Sequence, residues 1–107
     1  MENRTRNWDL IIRGKNGNYC QVICWNYLEP VEAVYWEVQM WFNEKWSTKL
    51  FYTEKKLTTY VLDFQIADQA LPASAVRVLY KSVCDLLNQV QLAAASFQMH
   101  NEFETQQ

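Results

Sequence analysis

Three cysteines, one histidine and a scatter of carboxylates and serines are the groups of this chain that could do chemistry. Cys20, Cys24, Cys84 and His100 are its only thiols and its only imidazole. On a strand Cys20 and Cys24 would lie roughly 13 Å apart, at about 3.3 Å per residue. That is too far to share a metal ion or a disulfide. No spacing joins Cys84 and His100 to them in the pattern that tetrahedral zinc sites use. An odd number of cysteines without a secretory leader reads as free thiols in a reducing compartment, packed as small apolar filler. No metal and no cofactor is expected.

Catalytic groupings are equally absent from the pattern. His100 stands between Met99 and Asn101 in a polar tail, where a solvated or capping role is the ordinary one. Glu37 and Asp63 fall in strand-like segments that nothing brings together. Ser74, Ser82 and Ser96 lie in a helical pattern, without the sharp strand-to-helix turn that exposes a nucleophilic serine. A reactive thiolate would need an electropositive setting around Cys20 or Cys24. The expectation is a protein that is not an enzyme.

The 107 residues suit one domain, and half of them are hydrophobic, which excludes a disordered chain. Two glycines exclude a glycine-rich phosphate loop. Net charge is −2 and the isoelectric point near 5.3, the wrong sign for a general phosphate binder. No apolar run reaches the roughly 18 residues of a membrane span, and none follows Arg4 and Arg6 as a signal-peptide core. The expected location is the cytoplasm, with no membrane partner. The Asn3-Arg4-Thr5 sequon then has no consequence.

The elements that must position any site begin with a hairpin. Two β-rich runs, 8–13 and 19–25, flank Asn16-Gly17, the dipeptide that best tolerates positive φ. In residues 34–42, Val34, Trp36, Val38, Met40 and Phe42 alternate with Glu37 and Gln39. Val31, Val34, Tyr35, Val38 and Trp41 also recur there at helical spacing behind Pro30; aromatic and β-branched enrichment favours strand. Asn43-Glu44-Lys45 connects to a strand over 46–53, and Glu54-Lys55-Lys56 to another over 57–64. From about Pro72 to Phe97 apolar residues return every three or four positions, predicting one long helix. The predicted fold is α+β: a single antiparallel meander of about four or five strands packed on one C-terminal helix. The domain spans residues 7–99, with 1–6 and 100–107 frayed.

Alternation divides the sheet into two faces. Leu10, Ile12, Cys20, Val22, Cys24, Trp36, Val38, Met40, Phe42 and Leu50 form an almost wholly apolar set that suits the helix-covered core. The other set mixes Asp9, Ile11, Gln21, Ile23, Glu37, Gln39 and Thr53 with Arg13, Tyr19, Trp25, Tyr35, Trp41 and Phe51. These last six are the candidate binding residues, because large aromatics on a polar sheet face exceed what one core needs.

Three kinds of partner suit such a face. A protein partner, in the simplest form a second copy, uses the aromatics and the small size. Leu92 and Ala93 to Ala95 on the helix offer a second surface for self-association. Single-stranded nucleic acid could stack on Tyr19, Trp25, Tyr35 and Trp41, but the acidic balance disfavours it. An apolar ligand could occupy a pocket between helix and sheet near Met40 and Met99. The first is the expected role.

Overall fold

The computed structural model describes residues 3–27 and 33–105, with side chains to residue 94. Four strands, β1 (Arg4–Arg13), β2 (Tyr19–Tyr27), β3 (Ala33–Phe42) and β4 (Lys45–Phe51), form one antiparallel sheet in sequential order. Two helices follow, α1 (Glu54–Gln69) and α2 (Val76–Thr105), the second entered through a short 3-10 turn at Ala73–Ala75. The fold is the expected α+β meander backed by helix, and 34–42 is strand.

The helical layer has two members rather than one. Residues 57–64, read from their β-branched and aromatic content as a fifth strand, lie in α1. Thr53 caps the helix, its Oγ1 accepting from the Lys56 N–H at 3.4 Å, so Glu54-Lys55-Lys56 is a first helical turn and not a loop. Thr58 and Thr59 donate their hydroxyls to the carbonyls of Glu54 and Lys55, which gives these β-branched residues a bond inside the helix. Leu57, Val61 and Phe64, at spacings of four and three, form the buried stripe. The helix stops at Ala70, which adopts a left-handed conformation ahead of Pro72.

The core lies between the helices and the face carrying Cys20, Val22, Cys24, Trp36 and Val38, with Trp8, Leu10, Ile12, Met40 and Phe42 packed around it. α1 covers the β3–β4 side, where Phe64 meets Phe42 edge-on at 6.0 Å and Tyr60 meets Phe51 at 5.0 Å. α2 lies on α1 and β1 and contributes the buried Val83 and Leu87.

One core assignment is reversed by a turn. Asn43 and Glu44, both at positive φ, make a two-residue turn, so Phe42 pairs with Lys45 and Trp36 with Phe51. This pairing exchanges odd and even numbers between the strands. Phe51 therefore joins the core at 6% exposure, and Leu50, expected inside, stands on the other face at 46%. Phe51, read as a candidate binding residue of the open face, therefore does not lie on that face.

A second irregularity concerns the start of β1. Arg4 to Arg6, placed by composition in a frayed terminus, pair with Trp25 to Tyr27 beyond a bulge at Asn7. Trp8 pairs with Cys24 on the core side, whereas Arg6 pairs with Trp25 on the opposite side. Without the extra residue, strict alternation would have sent Arg6 toward the helices with Trp8.

A single polar hub ties the turns to α1. The Asp68 carboxylate accepts from the Lys15 backbone N–H at 2.9 Å and from Asn18 Nδ2 at 2.9 Å. The Asn18 side chain is buried and its Oδ1 accepts from the Asn43 N–H at 3.1 Å. A Cβ at Gly14 would come within 2.6 Å of the Asp68 carboxyl atoms, so a side chain there would displace the carboxylate from these bonds. Both β-turns are thus fastened to the last turn of one helix.

Candidate functional site: the uncovered sheet face

Both helices pack on one side of the sheet, and no element of the described residues covers the other. The strand register arranges that uncovered face in rows. At the turn end, Arg13, Tyr19, Trp41 and Trp46 are successive cross-strand partners through all four strands. The Tyr19 and Trp46 rings lie 6.0 Å apart, and Trp46 is half exposed. At the other end, Arg6, Trp25 and Tyr35 form a second row, which Tyr52 extends with its ring 5.9 Å from that of Tyr35. About 20 Å separates the rows, six residues along a strand.

Between them the face is polar around a sealed apolar centre. Gln21 donates to Asp9 at 3.0 Å and Gln39 to Glu37 at 2.6 Å. These side chains flank Ile23, only 1% exposed although no helix of the described residues covers this side. Cross-strand neighbours alone suffice to bury it.

The second row is held by cations. The Arg4 guanidinium lies 3.7 Å over the centre of the Trp25 ring, and that of Arg6 lies 5.3 Å from it. Arg4 also donates to the Tyr35 hydroxyl at 2.7 Å and lies 3.8 Å from Glu37, while Arg6 is 3.9 Å from Asp9. The bulge at Asn7 makes this possible by turning Arg4 and Arg6 onto the face. An arginine stacked this closely already occupies one side of the indole that a nucleobase would need.

Five of the six candidate residues thus share the face: Arg13, Tyr19 and Trp41 in the first row, Trp25 and Tyr35 in the second. Sequence reading missed Arg4, Arg6, Trp46, Leu50 and Tyr52. The arginines were hidden by the bulge, which no local pattern announces. The β4 residues become legible once a two-residue turn at Asn43-Glu44 is recognised, because it sets their parity.

The groups considered for chemistry are dispersed. Cys20 and Cys24 face the core, and burial pushes the Cys20 thiol up to about 12. Cys24 is also raised, by burial first and then by the Glu54 carboxylate, against the lowering contact from Asn7. Neither has the low pKa of a reactive thiolate. Asp63 is exposed on α1, remote in sequence and layer from Glu37 on the sheet face. The side chains of Ala95, Ser96, Met99 and His100 lie outside the described residues, and among the described residues no three potential ligands gather for a metal. Two cavities between helices and sheet, about 180 Å3 near Trp36 and about 210 Å3 near Met40, are smaller than the ~300 Å3 at which ligand pockets begin, whereas the groove between β4 and α1 is larger, about 690 Å3, and rimmed by lysines.

No helix of the described residues is long and apolar enough to cross a membrane. No protein-family model matches the chain, and no curated protein or solved structure matches it significantly.

Proposed function

We propose that this protein is a non-catalytic interaction module of the cytoplasm, an adaptor, assembly factor, subunit or inhibitor, that binds protein through the uncovered sheet face. The observation that carries the reading is the pair of aromatic rows on a face that no helix of the described residues covers. Trp46, Leu50 and Tyr52 are 50%, 46% and 69% exposed, and Ile11 adds a further open apolar group. Aromatic side chains offer large contact area with little conformational freedom to lose, and they dominate protein interfaces. Asp9 and Glu37 engage Arg6 and Arg4 on the face, and an arginine already covers the Trp25 ring, which disfavours a stacked, phosphate-bound strand and favours a protein surface.

A second copy of the chain is the simplest partner. Stacked on a two-fold axis, two such faces would set aromatic rows against each other and the polar middle against itself. Arg13, exposed at the end of its row, and the engaged pair Arg4 and Arg6 provide cations to face the partner's carboxylates.

Trp46→Arg tests the surface directly, because the side chain is exposed and contributes little to the core. We expect the variant to keep the wild-type circular dichroism spectrum and to elute as a monomer where the wild type elutes as a dimer. Equal elution of the two proteins as dimers would remove this face from the interface.

A further inference from the structure

β4 is an open edge of the sheet: β3 pairs with one side, and no strand among the described residues pairs with the other. Alternate residues of such an edge turn their N–H and C=O groups outward, a template for another strand. Beside the edge runs a groove of about 690 Å3 between β4 and α1. Its floor includes Phe51 and Tyr60, and its rim carries Lys49, Lys55 and Lys56 against one carboxylate, Asp63. The Lys49 ammonium lies 5.7 Å from the Phe51 ring and 5.2 Å from the Tyr60 ring, which holds it on the helix side of the edge. Trp46, Thr48 and Leu50 alternate to the other side, where Trp46 and Leu50 are exposed. The two sides of one edge thus differ in character, one basic and one apolar.

We infer that β4 accepts an extended acidic segment of a partner protein as a fifth strand, its alternate side chains carboxylates toward the helices and apolar groups toward the open face. The two-residue period of a strand matches the two-sided edge: main-chain bonds supply affinity and the alternating surfaces supply selection. Charge decides the occupant. Three ammonium groups against one carboxylate leave the groove cationic, and its protein walls screen an incoming carboxylate less than open water does. A second β4 complements the groove less well than an acidic segment, because it would bring its own Lys45 and Lys49 toward a groove already rimmed by three lysines. The inference concerns the edge, so it holds for a monomer and for a dimer joined through the face.

The test titrates the whole protein into a fluorescein-labelled peptide of alternating glutamate and valine, and into its counterpart with lysine for glutamate, reading anisotropy. The glutamate peptide should bind at about 50 mM salt, weaken as salt rises, and exceed the lysine peptide by at least about tenfold. Amide exchange should slow in β4. The double variant Lys49→Glu with Lys56→Glu, both exposed positions, should keep its circular dichroism and reverse the preference. Equal binding of both peptides, no binding at low salt, or binding without protection of β4 would each overturn the inference. Light scattering on the same samples separates the two proposals. A monomer that binds the glutamate peptide contradicts self-association through the face and supports strand addition, and a dimer that ignores it does the reverse.

Discussion

Trp41 on β3 and Trp46 on β4 stand directly opposite one another, two residues from the ends of the turn formed by Asn43 and Glu44. The pairing completes a row begun by Arg13 and Tyr19, and it exists because a two-residue turn fixes the register. The same turn that brings Trp46 to the open face sends Phe51 to the core, so the interaction surface and the hydrophobic core share one geometric cause.

The parity of β4 is open to a stability comparison. Phe51→Ala removes a ring packed on Tyr60 and should cost about 3–5 kcal/mol in urea denaturation, whereas Leu50→Ala should stay within about 0.5 kcal/mol of wild type. The reverse order would place Leu50 inside and dissolve the row through Trp46.

Asn18 joins both turns to α1 through Asp68 and Asn43. Asn18→Ala removes the buried amide that links the Asn43 N–H to the Asp68 carboxylate, and should lower stability by about 1–3 kcal/mol. Faster amide exchange at Lys15 and Asn43 in the variant would accompany that loss. A neutral effect on both readouts would show the hub to be dispensable.

The helical identity of 54–69 rests at its start on Thr53. Thr53→Ala should cost about 0.5–1 kcal/mol, since the bond it removes, 3.4 Å to the Lys56 N–H, is long for a cap. Thr53→Asp, which can accept the same bond, should restore wild-type stability.

Burial of Cys20 carries a pH signature. Its folded pKa of about 12 stands above its ordinary 9.0, so the neutral thiol is the form the fold protects. The stability this contributes is complete below the unfolded pKa and is lost as pH rises toward the folded one, by up to about 1.4 kcal/mol per unit. Other groups also titrate there, so the readout is the wild type compared with Cys20→Ala. Between about pH 8 and pH 10 the wild type should lose more stability than the variant. Parallel losses would mean that the thiol is not protected by the core.

Much of this arrangement was legible in the amino-acid sequence. Asn16-Gly17 announced its hairpin, and both residues take positive φ. The alternation from Val34 to Phe42 announced β3 and both of its faces, because a half-buried strand must repeat every two residues. What escaped was decided by single residues. Thr58, Thr59, Tyr60 and Val61 favour strand locally, and tertiary packing of the Leu57, Val61 and Phe64 stripe together with one threonine cap overrides that preference. The bulge at Asn7 moves Arg4 and Arg6 to the open face with no composition cue at all. Turn length and bulge, each a matter of one residue, determined which side chains meet over Trp25 and beside Trp46.

Self-association through the aromatic face is tested most directly by the mass of untagged protein in solution, from light scattering across a gel-filtration peak between about 1 µM and about 1 mM. A species near twice 12.8 kDa, or a mass rising toward it with concentration, is the predicted result. A mass that stays at 12.8 kDa over the whole range would contradict it.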